Sequence, residues 1–241
     1  MRSIWIIAHR ELAAFFDSII AYVILIIFLG ITGFFTWIVD SNIFLSNQAD
    51  LAIFFQLAFF ILAIVIPAIT MRTLAEETKS GTIELLSTKA ITDWEIVTGK
   101  FLACLMIVAL ALVCSLPYYI TVSYLGDVDH GGAIGGYLGL LLLSAAYIGI
   151  GILASSLTNN QIVAFLLALI GTVSLNFLFG ILASGIEGTS GQVFHFLSAR
   201  THFDSLSRGV IDSRDLLFFL SIVALGLVLA TSMLSRRNWQ S

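Results

Sequence analysis

The sequence has 241 residues, 59% hydrophobic and 11% charged, with a formal net charge of −4, and its mean hydropathy is +1.04. Water-soluble domains carry roughly a quarter charged residues, so this chain takes the bilayer as its solvent. It has no basic stripe of the kind that binds nucleic acid. Its 2 cysteines, Cys104 and Cys114, share one apolar stretch and read as packing residues rather than a disulfide or metal pair.

Residues 2–17 open the chain with a helical pattern. At about 100° per residue, Arg2, Ser3, His9, Arg10 and Asp17 share one sector, and Ile4, Trp5, Ile7, Ala8, Leu12 and Phe15 fill most of the rest. Such a helix is expected to lie in the membrane interface. Glu11 falls outside the polar sector. The first apolar run follows Glu11 and Asp17, is too long for a signal-peptide core and lacks a small-residue exit, so it reads as a span.

Crossing the hydrocarbon takes about 20 apolar residues. Six stretches qualify, at about 19–39, 51–70, 101–124, 134–156, 162–184 and 216–234. The expected fold is therefore an all-α integral membrane protein, with 1–241 forming a single transmembrane domain. Pro67 in the second span and Pro117 in the third each remove a helical hydrogen bond and predict kinks. The fourth span carries Gly135, Gly136, Gly139, Gly149 and Gly151, a pattern for close helix packing. In the fifth, Thr172, Asn176 and Gly180 recur at helical spacing; Asn176, like Gln56 in the second span, either lines a pathway or makes an interhelical hydrogen bond. No Asp, Glu, Lys or Arg falls inside these spans, which leaves a proton relay without support.

Orientation follows the basic residues. Eight of them (Arg2, Arg10, Arg72, Lys79, Lys89, Lys100, Arg236, Arg237) lie on one side, against Arg200, Arg208 and Arg214 on the other. Both termini and the 71–100 segment are thus expected to face the cytoplasm.

That segment has its own order. Arg72, Glu76, Glu77 and Lys79 continue the second helix into water until Gly81 breaks it. Thr82 is a plausible cap for a short helix over 83–89, with Glu84 near its positive end and Ile83, Leu85 and Leu86 as its apolar side. Thr92-Asp93-Trp94-Glu95 fits a capping box that launches the third span, with Lys100 at the membrane surface. Ordering a short polar helix costs roughly 1–2 kcal/mol per residue in backbone entropy, which a partner's groove would offset. In the connection 185–215, Leu197, Phe203, Leu206 and Val210 suggest an amphipathic segment across the outer face. His202, Asp204, Arg208, Asp212 and Asp215 cluster there without the spacing of a standard metal site. Asp212 is placed to cap the sixth span, with Asp215 in its first turn.

The run Arg-x-x-Ala-Glu-Glu-x-x-x-Gly-Thr-x-Glu-Leu-Leu-x-Thr at 72–88, followed by Trp94-Glu95-Ile96-Val97 and Gly99-Lys100, resembles the cytoplasmic segment of type-two ABC exporter permeases. The resemblance extends along the whole chain: an interfacial helix, six spans and a last external loop of re-entrant character. It implies that 71–100 forms a coupling helix seated in a cleft of a separate ATP-binding subunit, through Arg72, Glu76, Glu77, Gly81, Thr82, Glu84 and Leu85. The stretch from Ser198 to Phe219, with His202-Phe203 and Arg208-Gly209-Val210-Ile211-Asp212, is similar to the gliding-motility and copper-site-maturation branches. The chain has no phosphate-binding loop, because Gly99-Lys100 lacks a glycine at 94 and a following Ser or Thr. The resemblance therefore puts ATP and Mg on the partner, with no cofactor on this chain. It also implies two ATP-binding subunits, a second permease copy or paralogue, and a bacterial inner-membrane location. An extracytoplasmic auxiliary protein belongs to the gliding-motility branch.

Two other classes compete with this reading. Glu76-Glu77 is also how the Glu-Glu-x-x-x-Arg motif of intramembrane proteases begins, but position 81 is glycine. A non-transporting membrane scaffold would need no ATPase partner. The cargo is open: a lipid-linked polymer, a small hydrophobic compound, an ion or a factor for an extracytoplasmic machine all suit six apolar helices.

Overall fold

The computed structural model describes residues 2–38, 50–80, 92–185 and 188–238, and every regular element among them is helical. The order is α1 (Arg2–Asp17), α2 (Ile19–Trp37), α3 (Ala52–Thr70), α4 (Ala75–Ser80), α5 (Asp93–Cys114), α6 (Leu116–Leu125), α7 (His130–Leu157) and α8 (Gln161–Val173). A π-helical turn, Ser174–Leu178, leads into α9 (Phe179–Gly185), α10 (Thr189–Leu197), α11 (Ala199–Ser207) and α12 (Ser213–Asn238). Among the described residues, six helical stretches are long and apolar enough to cross a membrane: Ile19–Trp37, Ala52–Ser80, Asp93–Leu125, His130–Leu157, Gln161–Leu182 and Ser213–Arg236.

The two prolines act differently. The third span breaks at Ser115, two residues before Pro117, and resumes as α6 with the proline in its first turn. Ser115 is held there by Tyr137, whose hydroxyl donates to the Ser115 carbonyl at 3.1 Å. At Pro67 the helix continues and stops only after Thr70. The carbonyl that Pro67 leaves without a helical donor is that of Ala63, and the Thr172 hydroxyl of α8 reaches it at 3.0 Å, sharing its one proton with the Leu169 carbonyl of its own helix, also at 3.0 Å. The second helix therefore does not continue unbroken into the polar segment, as its sequence suggested: a turn over 71–74 separates α3 from α4.

α7 is the axis of the bundle. It packs against α3, α5, α8, α11 and α12, and 72% of its apolar stretch is buried, against 28% for α2 and 22% for the span Gln161–Leu182. Small residues allow this approach. Gly136 receives the Phe55 ring, Gly139 faces Phe203 and Leu206, and Gly149 lies against Gly226 of α12. Tyr147, Phe28, Phe54, Leu62, Ile66 and Leu140 fill the core around it.

Candidate functional site

The described ends of the polar segment, 71–80 and 92–100, lie at the end of the bundle that also holds α1 and the last turns of α12. α5 starts with the anticipated capping box: the Glu95 N–H donates to Thr92 Oγ1 at 3.3 Å, and the Thr92 N–H donates to Glu95 Oε2 at 3.1 Å. The Ser235 hydroxyl donates to Asp93 Oδ2 at 2.8 Å, tying the last turns of α12 to the start of α5. α1 lies on α5, where the missing side chain of Gly99 leaves room for Ile7, which also packs on Ile96.

α4 divides its charges between two faces. Arg72, just before it, and Glu76 and Lys79 within it are exposed. Glu77 turns inward, and its Oε1 lies 2.8 Å from the Lys100 ammonium. Lys100 also reaches Glu11 of α1 at 3.2 Å, and Arg10 closes the group at 2.9 Å from Glu11 and 3.8 Å from Glu77. Lys100 is only 1% exposed. Lys100, just ahead of the apolar run 101–124, is thus enclosed by protein at the start of α5. A buried ammonium needs anionic partners, and Glu11, which looked misplaced on α1, supplies one of them. Gly81, Thr82, Glu84 and Leu85, with the helix expected over 83–89, lie outside the described residues.

A residue that the sequence did not flag holds the turn between α3 and α4. The Ser155 hydroxyl of α7 accepts from the N–H of Leu74 at 3.1 Å and of Ala75 at 3.0 Å, and donates to the Met71 carbonyl at 3.2 Å. Nothing in the local sequence around Ser155 announces a contact some eighty residues away.

At the opposite end, a cavity of about 1060 Å³ opens between the start of α3, the α6–α7 connection and α11. Gln56, Phe203 and Arg208 line it, together with Phe60, Arg200 and Asp204. Burial raises the Asp204 carboxyl above its ordinary range, while Arg200 and Arg208 pull it back in part. The buried stripe of α11 is Ala199, His202, Phe203 and Leu206, whereas Leu197 and Val210 are exposed. The amphipathic face is thus narrower than the sequence suggested, because α11 ends at Ser207 and Gly209 turns the chain at φ +79°. His202 lies between two partners, its Nδ1 2.6 Å from Asp215 Oδ1 and its Nε2 2.7 Å from the Phe196 carbonyl, and stacks on Phe218 with ring centroids 4.0 Å apart. Asp212 Oδ1 accepts the Arg214 N–H at 3.0 Å at the start of α12.

Asn176 sits in the π-helical turn and accepts from the Tyr147 hydroxyl at 2.6 Å, both side chains being buried. Geometrically it joins two helices, while Gln56 faces the cavity. Residues 5–239 match one family, described as ABC-2 family transporter protein. No curated protein matches the chain.

Proposed function

The chain belongs to the ABC-2 transporter family as a membrane-spanning permease subunit, not itself the ATPase, and on that premise we propose that it converts ATP hydrolysis on a separate subunit into export or mechanical work. The observation that carries this reading is the division of α4. Its exposed side offers Arg72, Glu76 and Lys79 to a partner, while its inner side is fixed to the bundle through Glu77 and Lys100. A contact surface anchored this way moves with the spans behind it instead of yielding alone. The segment that follows, with Gly81, Thr82, Glu84 and Leu85, completes the docking element in this proposal.

On this reading the end carrying both termini faces the cytoplasm of a bacterial inner membrane, in keeping with its excess of basic residues. Two copies of the permease, or one with a paralogue, form the pathway, and two ATP-binding subunits hold ATP and Mg. The cavity lined by Gln56, Phe203 and Arg208 sits on the exit side.

Purification through a tag on this chain tests the proposal. A soluble ATPase of ordinary ABC size is expected to accompany the wild type. Glu76→Lys, which reverses an exposed charge, is expected to release it or to uncouple its ATP hydrolysis from permease motion. A wild-type chain that brings down no ATPase from its own membranes overturns the reading in favour of a scaffold.

A further inference from the structure

Serines inside apolar helices usually bond back to their own helix. Ser144 and Ser156 of α7 do so, donating to Leu140 at 2.6 Å and Leu153 at 2.7 Å. Ser155 does not. Fully buried, it spends both acceptor sites and its one proton on the 71–75 turn. Leu74 and Ala75 present the unpaired N–H groups that precede the first turn of a helix, so α4 is capped by a side chain from another span.

The other end of α7 is seated just as closely. A side chain at Gly135 would strike the Leu206 carbonyl, one at Gly132 would lie 3.1 Å from the Ser207 carbonyl, and one at Gly139 would lie 3.1 Å from Phe203. Gly209 returns the contact, since a side chain there would lie 2.9 Å from the Gly131 backbone. Backbone against backbone leaves α11 little freedom to slide over α7. Between these contacts runs one uninterrupted helix of 28 residues, about 42 Å long and without proline.

We infer that Ser155 is a positioning residue that locks the ATPase-docking segment to α7, and that α7 carries the motion of that segment as a rigid rod to α11 at the far end. This rests on the docking role proposed above. The link has two seats and one rod: the Ser155 cap at one end, the glycine contacts with α11 at the other.

The test uses the complex purified with its ATPase and placed in nanodiscs. Val210, 58% exposed just beyond α11, is replaced by cysteine in a Cys104→Ala, Cys114→Ala background. Labelling by a membrane-impermeant maleimide is timed without nucleotide and with ATP plus vanadate. The wild-type background is expected to label at different rates in the two states. Ser155→Ala should bring that ratio to about one, with the ATPase still bound. Ser144→Ala removes an equally buried hydroxyl from the same helix and should leave the ratio unchanged. If Ser155→Ala does not assemble, Ser155→Thr keeps the hydroxyl without adding a thiol and should retain the wild-type ratio; a lost ratio in an assembled Ser155→Thr would count against the hydroxyl.

A full nucleotide response in Ser155→Ala overturns the inference while leaving the docking role intact. So does an equal loss in Ser144→Ala, which would make the effect one of packing alone. If a bound ATPase produces no change at position 210 in the wild-type background, the rod is refuted; if no ATPase is bound at all, the docking role fails instead.

Discussion

The Thr172 hydroxyl shares its proton between the carbonyl of Ala63 and that of Leu169 in its own helix, each at 3.0 Å, and Ala63 stands four residues before Pro67, which cannot donate the helical hydrogen bond that this carbonyl would otherwise accept. One span thus repairs a defect in another. In hydrocarbon no water is available to do so, which is why the helix passes through Pro67 without a break and the interruption comes only at 71–74.

Replacing Thr172 by valine should cost about 0.6 kcal/mol, the average for interhelical hydrogen bonds in membranes, and at most about 1.7 kcal/mol. In a Pro67→Ala background the cost should largely vanish, because residue 67 then donates to Ala63 itself. A double-mutant cycle of unfolding in mixed micelles reads this coupling. Strictly additive effects would refute the repair.

Lys100→Met should be among the most disruptive single substitutions. It removes the cation that Glu11 and Glu77 share, and breaking a buried pair from one side costs about 3–5 kcal/mol. The low end of that range is expected, since the Glu11 and Glu77 side chains remain 17% and 18% exposed. Glu77→Gln, which keeps the hydrogen-bonding shape, should cost less. A thermal unfolding midpoint for Lys100→Met equal to that of the wild type would remove the cluster's structural role.

Two glycine-to-alanine substitutions should move stability in opposite directions. A side chain at Gly226 would lie 2.7 Å from the Gly149 backbone, which cannot yield without parting α7 from α12; overpacking of this kind costs roughly 1–3 kcal/mol. A side chain at Gly30 would meet nothing within 4 Å, and alanine is favoured over glycine in a helix by about 0.5–1 kcal/mol. Unfolding midpoints measured side by side decide the pair, and destabilisation by Gly30→Ala would contradict the open face.

The pH dependence at the far end has a defined sign. Partial burial raises the Asp204 carboxyl above its ordinary value of 3.8, against the pull of Arg200 and Arg208; with the side chain still 57% exposed, solvent screens the shift and keeps its effect on stability small. The folded chain then holds that proton more tightly than the unfolded chain. Stability consequently falls as pH rises through the interval between the two values. Asp204→Asn should remove this slope, so the difference in melting temperature between wild type and variant should favour the variant increasingly as pH rises from about 3.8. A difference independent of pH would exclude Asp204 as its source.

Much of the fold is legible locally. Long apolar runs need a bilayer whatever surrounds them, and a capping box such as Thr92–Glu95 closes within four residues, so both can be read from neighbours in sequence. Pro117 likewise marks its own break. Charges were harder to place. Glu76 and Glu77 are adjacent and chemically alike, yet one is exposed and the other faces Lys100. Only the position of α1 and α5 beside α4 separates them. Thr172 was visible as a polar residue in an apolar span, and Pro67, which leaves the Ala63 carbonyl without a helical donor, was visible too. What joined them was the packing of α8 on α3.

The sequence by itself determined the solvent, the number of spans and the polar segment between the second and third, because these depend on the summed hydrophobicity and local hydrogen bonding of consecutive residues. The tertiary structure decided which charges lie inside, which hydroxyl caps α4 and which glycines seat α11. Each of these is a pairing between groups that no local pattern brings together. In a low-dielectric interior, such groups must find partners wherever the packing of the helices puts them.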